Sequence, residues 1–334
     1  MDLWVIGLFI LGFALIIKGG DWFVEAAVWI AEITGIPKII IGATIVSLAT
    51  TLPELLVSLF AVIGGSTGLG VGNAIGSIIC NTGLILSIAL IISPPKVERK
   101  IFLSKALILS LAVITLALIA KDGTISKIDS ICLFLILIAY IIFNIRALKT
   151  KNIGEVYEDQ TEIRHIDTSR KSIVLNIIKF VLGATGIVIG ARLLVDNGVI
   201  IAAFFGVSDA VIGLTVVALG TSLPELVTTI TSLVKKHGAM GIGNIIGANI
   251  LNIALVLSTC AVSSNDGIIL TKEVLFNSLS GYRTLAIDIP VVALMLAVLI
   301  LPVIFTKNKK LKRLQGVFLI LIYIGFITFT AINI

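Results

Sequence analysis

The chain has 334 residues, of which 58% are hydrophobic and 13% charged, and its mean hydropathy is +1.16. That composition excludes a water-soluble globule and reads as a polytopic, all-α membrane protein. The net charge of +6 then belongs to topology and calls for no nucleic acid. The three cysteines, Cys80, Cys132 and Cys260, all lie in apolar runs and read as small buried hydrophobes, so neither a disulfide framework nor a thiolate metal cluster is expected.

A hydrocarbon layer of about 30 Å takes about 20 apolar residues in a helix. Ten stretches meet that measure, near residues 2–18, 39–64, 69–93, 101–120, 126–147, 173–195, 210–234, 239–263, 285–305 and 314–333. The first lacks the basic flank and small-residue cleavage site of a secretory leader and is kept as a span. The segment "GDWFVEAAVWIAEITGIPK", residues 20–38, carries too many acids to cross and is expected as a short amphipathic helix at the interface. A mixed-charge linker at 148–172 is too short for a folded domain. His165 within it, and His237 in "KKHG", are expected as solvated loop residues.

Basic residues test the span count, because Lys and Arg crowd the inner loops of real membrane proteins. With the N-terminus outside, the inner loops and inner helix ends take all 25 Lys and Arg except Lys121, Lys127, Arg192, Lys272 and Arg283. Lys18, Lys38, Lys105, Lys235 and Lys236 are counted on the inner side. The expectation is a multi-pass protein of the cell (plasma) membrane, in contact with lipid and working as a monomer.

Residues 42–55, "GATIVSLATTLPEL", return as residues 213–226, "GLTVVALGTSLPEL", at an offset of 171. The same offset lays "GVGNAIGSIICN" (70–81) on "GIGNIIGANILN" (241–252), and Gly19 and Gly35 on Gly190 and Gly206. The chain therefore divides into a first five-helix repeat at 1–147, with its motif at 42–86, and a second at 173–334, with its motif at 213–257. Five spans is an odd number, so the second copy enters from the opposite side: ten transmembrane helices as two inverted-topology repeats.

Each repeat holds a proline followed by a glutamate where hydrocarbon is expected. Pro53 has no N–H and frees the carbonyl near Ala49; Pro224 does the same near Gly220, so both helices are expected to break into half-helices. Glu54 and Glu225 cost roughly 2.5–3.5 kcal/mol each at a bilayer centre unless compensated. Thr50, Thr51, Thr221 and Ser222 add hydroxyls at the same level. In the partner helices, glycines at 72, 76, 243 and 247 make flat faces for close packing, while Ser77 and Asn81, and in the second copy Ala248 and Asn252, follow on the same turns. Asn73, Asn244 and Asn249 are further amides that sequence alone does not separate from interhelical hydrogen bonding. Every donor in the set is oxygen, which suits hard cations and not a Cys/His metal site. Two carboxylates neutralise one Ca²⁺, two Na⁺ or two protons, and that equivalence is the chemistry of exchange. No cofactor and no catalytic residue is expected.

The paired PEL helices and paired GN-x-x-G-x-x-x-x-N helices resemble the α-repeats of the Ca²⁺/cation antiporter superfamily, in particular its prokaryotic Na⁺/Ca²⁺ exchangers. The resemblance implies Ca²⁺ held by Glu54 and Glu225 with Thr50 and Thr221. It implies Na⁺ sites around that centre drawing on Ser47, Thr50, Thr51, Ser77 and Asn81 and on Ala218, Thr221, Ser222 and Asn252. It also implies that the first two helices slide against an eight-helix core. Two positions depart from the pattern. Some relatives, the K⁺-dependent ones included, carry an acid where this chain has Asn252, and Ala248 lacks a hydroxyl often found there. Antiport of H⁺ against Ca²⁺ is the alternative, since both glutamates could carry protons, although "GNAIGSIICN" has neither the acid nor the histidine that relatives of that type show nearby. A cation channel is a further alternative.

Overall fold

The computed structural model describes residues 3–65, 67–94, 99–149, 167–204, 218–270, 272–276, 279–305 and 311–332. The helices are α1 (Leu3–Thr34), α2 (Lys38–Ile63), α3 (Thr67–Ile92), α4 (Arg99–Ile119), α5 (Lys127–Lys149), α6 (Arg170–Phe204), α7 (Ala218–Thr221), α8 (Leu223–Val234), α9 (Gly238–Ser263), α10 (Thr284–Phe305) and α11 (Arg313–Ile332). Among the described residues nine of these are long and apolar enough to cross a membrane, and α8 is a shorter apolar helix. On α4, α5 and α11 residues such as Leu111, Ile114, Leu135, Ile138, Leu321 and Ile324 are exposed. Such apolar faces suit contact with lipid. Two short antiparallel strand pairs, Thr124–Ile125 with Ile268–Ile269 and Lys272–Phe276 with Leu279–Tyr282, join loops that the sequence reading left without structure.

The first correction concerns residues 20–38. They form no separate interfacial helix: α1 runs unbroken for 32 residues, about 48 Å at 1.5 Å per residue, and stops at Gly35, whose φ of +66° is a left-handed helix cap. The acids that argued against a continuous helix are all paired. Glu25 binds Lys235 at 2.9 Å and Lys179 at 3.1 Å, Asp21 lies 3.3 Å from Lys235, and Glu32 lies 3.6 Å from Lys38. Lys179 and Lys235 come from α6 and from the end of α8, so the compensation is tertiary. Likewise α6 extends to Phe204, beyond the expected 173–195.

Helices α1 and α6 pack antiparallel through glycine. A Cβ on Gly19 would stand 2.8 Å from the Gly183 carbonyl oxygen, and one on Gly190 would stand 2.8 Å from that of Gly12. These two contacts are copies of one another at the 171 offset. Helix α9 lies parallel to α2 with equal intimacy: Cβ atoms on Gly42 and Gly243 would fall 2.1 Å from the Met240 oxygen and 2.2 Å from the Ile39 oxygen, and Gly247 abuts Ala43 and Ser47. Gly70 sets α3 against Ser58 and Val62 of α2, antiparallel to it. So α3 and α9, which carry the same motif, run in opposite directions. Gly72 and Gly76 meet no described residue; at the repeat offset their partners fall at 210 and 214, outside the described residues. Residues 150–166, with His165, lie outside them as well.

Four of the described helices contain π-helical turns: Gly42–Val46 in α2, Asn81–Ile85 in α3, Asn252–Leu257 in α9 and Thr284–Asp288 in α10. The wider turn leaves backbone groups out of register, and Tyr140 of α5 donates its hydroxyl to the Ala43 carbonyl. Lys105 is a second correction. It is not a surface topology residue but fully buried, with Nζ donating to Asn144 Oδ1 at 2.8 Å and lying 5.7 Å from the centre of the Tyr140 ring. Stem and charge are thus held inside the bundle by one amide and one aromatic face.

His237, at the start of α9, is half-buried rather than fully solvated. Burial and the neighbouring Lys38 and Lys235 push its imidazole from an ordinary 6.5 down to about 4. The unfolded chain therefore takes a proton on this residue before the folded one does. Its contribution to stability is intact above about pH 6.5 and is lost as pH falls toward 4. Thermal melts of wild type and His237→Asn across pH 4–7 should show a shallower acid slope in the variant; equal slopes would contradict this environment.

The glycine contacts make a second prediction. Gly243→Ala should destabilise the protein by about 1–3 kcal/mol, because the methyl meets the Ile39 backbone, which has no room to give. Gly7→Ala, with nothing within 4 Å among the described residues, should melt within error of wild type in the same detergent.

Candidate cation site

Glu54 of α2 and Glu225 of α8 are both fully buried and face one another closely enough to interact electrostatically. They lie where α2, α3, α8 and α9 meet. Helix α2 stays continuous through Pro53, contrary to the expected break, and it is packed on both sides of the proline: Gly42, Ala43 and Ser47 along α9, and Ser58 and Val62 against Gly70 of α3. The break occurs in the second copy only. There α7 ends at Thr221, Ser222 takes φ −91° and ψ 5°, and α8 begins with Pro224 in its first turn. Those angles lie in the sparsely allowed bridge region, where site residues often sit. With no N–H, Pro224 cannot donate to the Gly220 carbonyl.

Other predicted residues lie on the helices that meet there. Ser47, Thr50, Thr51, Ser77, Asn81, Ser222 and Asn252 are all buried, at 3% exposure or less. Thr221 is half-buried at the end of α7, whose first residue, Ala218, is placed by its backbone. Asn81 and Asn252 each open a π turn, in α3 and α9 respectively, at equivalent positions of the two repeats. No periodicity argument on the sequence reveals those turns. They carry each amide inward and change the register of the carbonyls that follow.

The hydrogen-bond inventory gives the site its chemistry. Among the described residues, buried side-chain atoms without a hydrogen-bond partner include Thr51 Oγ1, both oxygens of Glu54, Ser77 Oγ, Asn81 Oδ1, Ser222 Oγ, both oxygens of Glu225, Thr229 Oγ1 and both amide atoms of Asn252. All of these but Thr229 belong to the predicted set. Buried polar groups are ordinarily satisfied, and leaving one bare costs about 1–3 kcal/mol. A concentration of bare oxygens on the helices that carry two carboxylates, with one amide N–H₂ among them, is a donor set suited to a hard cation. Thr50 and Thr51 stand near Glu225, yet no hydrogen bond of normal geometry reaches either carboxylate. Among the described residues no group of three His, Cys, Asp or Glu comes together, so two carboxylates with hydroxyl, amide and backbone oxygens are the donor set.

Amides that the sequence left unassigned are hydrogen-bonded into the edge of this set. Thr50 donates its hydroxyl to Asn244 Oδ1 at 3.2 Å; Asn244 Nδ2 donates to Thr228 Oγ1 at 2.8 Å, and Thr228 in turn donates to the Pro224 carbonyl at 2.9 Å. That chain ties α2 to α8 through α9. Asn73 donates to Ser58 Oγ at 2.9 Å and to the Glu54 carbonyl at 3.3 Å. Asn81 donates to Asn249 Oδ1 at 3.1 Å, and Asn249 donates to Thr82 Oγ1 at 2.8 Å. The signal for these roles was the amide count itself, because a buried Asn needs partners that only the fold supplies.

The family model described as "Sodium/calcium exchanger protein" matches residues 4–146 and 175–332. The chain belongs to the sodium/calcium exchanger family. The membrane protein MJ0091 of Methanocaldococcus jannaschii is 35% identical over 319 residues, covering 96% of this chain and 95% of that protein. The sodium/calcium exchanger MaX1 of Methanosarcina acetivorans is 31% identical over 352 residues, covering 95% and 96%. A solved structure of the sodium-calcium exchanger NCX_Mj, soaked with Na⁺ and Sr²⁺, superposes with a TM-score of 0.79 at 32% identity, over 97% of this chain and 98% of that one.

The bare oxygens also predict a trade between stability and binding. Asn252→Leu replaces an amide with two unpartnered atoms by an apolar side chain of similar volume. It should raise the ion-free protein's stability by about 1–3 kcal/mol. In the same melts it should shrink the stabilisation conferred by added Na⁺. A variant that melts earlier than wild type without ions would show that Asn252 is satisfied after all.

Proposed function

We propose that this protein is a secondary antiporter that exchanges Ca²⁺ for Na⁺ across the cell membrane. Membership of the sodium/calcium exchanger family supports the reading, and the observation that carries it is the cluster of unpartnered oxygens around Glu54 and Glu225. Ca²⁺ is the substrate held between Glu54 and Glu225, with Thr50 and Thr221 completing the centre. Na⁺ occupies flanking positions supplied by Ser47, Thr51, Ser77 and Asn81 on one side and by Ala218, Ser222 and Asn252 on the other. Two carboxylates with one Ca²⁺, or with two Na⁺, are neutral, whereas the bare pair carries two charges that hydrocarbon resists. Occupied sites therefore cross between the two sides and bare ones do not, which makes the transport an obligatory exchange.

The proposed architecture is ten transmembrane helices in two inverted repeats, with the N-terminus outside and the protein working as a monomer among membrane lipids. The mirrored contacts Gly19 to Gly183 and Gly190 to Gly12 support the inversion, because they are what a two-fold axis in the membrane plane would generate from antiparallel helices. The opposite directions of α3 and α9 support it too. Short helices α7 and α8 together take the place of the seventh span. Access alternates as α1 and α6 slide together on the remaining helices, in place of the first two helices that the resemblance implied: the glycine seam joins α1 to α6 as one unit, whereas α2 is seated backbone to backbone on α9.

Purified protein in Na⁺-loaded liposomes should accumulate labelled Ca²⁺ when diluted into Na⁺-free buffer, and a pH gradient alone should drive none. Glu54→Gln and Glu225→Gln should each abolish uptake while eluting as folded protein. Ca²⁺ uptake that follows the pH gradient and ignores Na⁺ would replace this reading by H⁺/Ca²⁺ antiport. Undiminished uptake in both variants would remove the site.

A further inference from the structure

The repeat relates Asn81 to Asn252, but their surroundings differ. Asn81 Nδ2 donates to Asn249 Oδ1, and Asn249 Nδ2 donates to Thr82 Oγ1, so the chain of three side chains crosses from α3 to α9 and back. All three residues are buried, at 2% exposure or less. The 171 offset carries the Asn81–Asn249 contact onto Asn252 and Ile78. Ile78 has no hydrogen-bonding group, and Asn252 accordingly keeps both amide atoms unpartnered. One copy of the repeat therefore has a clamp on its amide, and the other has a methyl-bearing side chain in that place.

An amide has two ends of opposite polarity, and only the oxygen is useful to a cation. With Nδ2 engaged by Asn249, Asn81 is left with a bare, buried Oδ1 among the oxygens of the site. We infer that Asn249 is a positioning residue: it holds the Asn81 amide with its oxygen toward the Na⁺-binding side of the site, and it does so without touching the ion. Thr82 completes the device by taking the Asn249 N–H₂, which leaves the Asn249 oxygen free to face Asn81. Orientation is fixed before the ion arrives, so binding at Asn81 forfeits little ordering. Asn252, with no such clamp, is oriented only by what it binds. The two halves of the site are thus unequal in preorganisation although nearly equal in ligand type.

This inference rests on the Na⁺/Ca²⁺ exchange reading and on Asn81 serving Na⁺, and the experiment separates the two. Half-saturation by Na⁺ and by Ca²⁺ is measured in exchange assays on reconstituted protein, for Asn249→Ile, Thr82→Val, Asn249→Asp and Asn81→Ala. Asn249→Ile copies the first repeat and should raise the Na⁺ half-saturation about fivefold while moving that of Ca²⁺ by less than about twofold. Thr82→Val, which removes the outer anchor alone, should shift Na⁺ in the same direction by less. Asn249→Asp can only accept hydrogen bonds, keeps Asn81 as its donor, and should hold the Na⁺ half-saturation at or below wild type. A merely structural role would move both ions together and would not be rescued by Asp. An unchanged Na⁺ half-saturation in Asn249→Ile, or equal shifts for both ions, overturns the inference. Should Asn249→Ile fail to fold, the Thr82→Val and Asn249→Asp pair decides by the same criterion. If Asn81→Ala itself transports with wild-type Na⁺ dependence, the site assignment fails, and the inference with it.

Discussion

Two carboxylates held apart from water are the constraint around which the rest of this structure is arranged. Neither Glu54 nor Glu225 has a hydrogen-bond donor among the described residues, and each is fully buried. Folding alone offers no reason for that arrangement, since burial of two like charges works against the compact state. It becomes reasonable once a cation is part of the occupied state. Under the proposed function the bare hydroxyl and amide oxygens have the same reason: a lone pair spent on a hydrogen bond inside the protein is withheld from the ion. The chain gives up stability at this one place and recovers it elsewhere, in the large apolar core shared by α3, α4, α9 and α10.

The packing that makes such a site possible is close approach of backbones. Where Gly42, Gly243 and Gly247 sit, α2 and α9 come near enough that any Cβ would collide with main chain. With no side chains to separate them, Thr50 of one helix reaches Asn244 of the other at 3.2 Å. Helix α9 thus carries Asn252 and is hydrogen-bonded to both neighbours, through Asn244 to Thr50 of α2 and through Asn249 to Asn81 and Thr82 of α3. The π turns at Asn81 and Asn252 act at the same level, rotating each amide inward at the cost of backbone register.

What could be read in the sequence followed from local rules. Span positions, the repeated proline and glutamate, and the oxygen-only donor set depend on hydropathy, on the missing N–H of proline and on residue chemistry, and these need no knowledge of the partner. The readings that failed were those decided by distant residues. Asp21 and Glu25 look too polar for a long helix until Lys179 and Lys235 are brought against them. Lys105 looks like a helix-end charge until Asn144 and Tyr140 enclose it. Pro53 and Pro224 share the tetrapeptide L-P-E-L, yet among the described residues only the second interrupts its helix; the first lies in a helix seated on α9 before the proline and on Gly70 of α3 after it. Asn244 and Asn249 were visible as amides, but which hydrogen each would take was a property of the assembled bundle.

The repeat itself is less symmetric than its motifs suggest, and the differences fall at functional places. Lys235 joins α8 to α1 through Asp21 and Glu25, whereas the equivalents at the 171 offset are Gly64, Arg192 and Asp196. Of these, Arg192 and Asp196 lie 3.6 Å apart on their own helix, and Gly64 carries no charge. An ion-pair cluster therefore ties α1, α6 and α8 at one end of the bundle, and nothing equivalent forms from the matching positions at the other. The clamp on Asn81 and its apolar counterpart at Ile78 follow the same pattern. In a carrier whose two states are related by exchanging the roles of the repeats, a strictly symmetric chain would hold both states at equal energy with equal sites. Under the proposed inverted arrangement each unmatched contact would remove part of that degeneracy, so positions at which the two copies differ, Asn249 against Ile78 and Lys235 against Gly64, would set the balance between the two states.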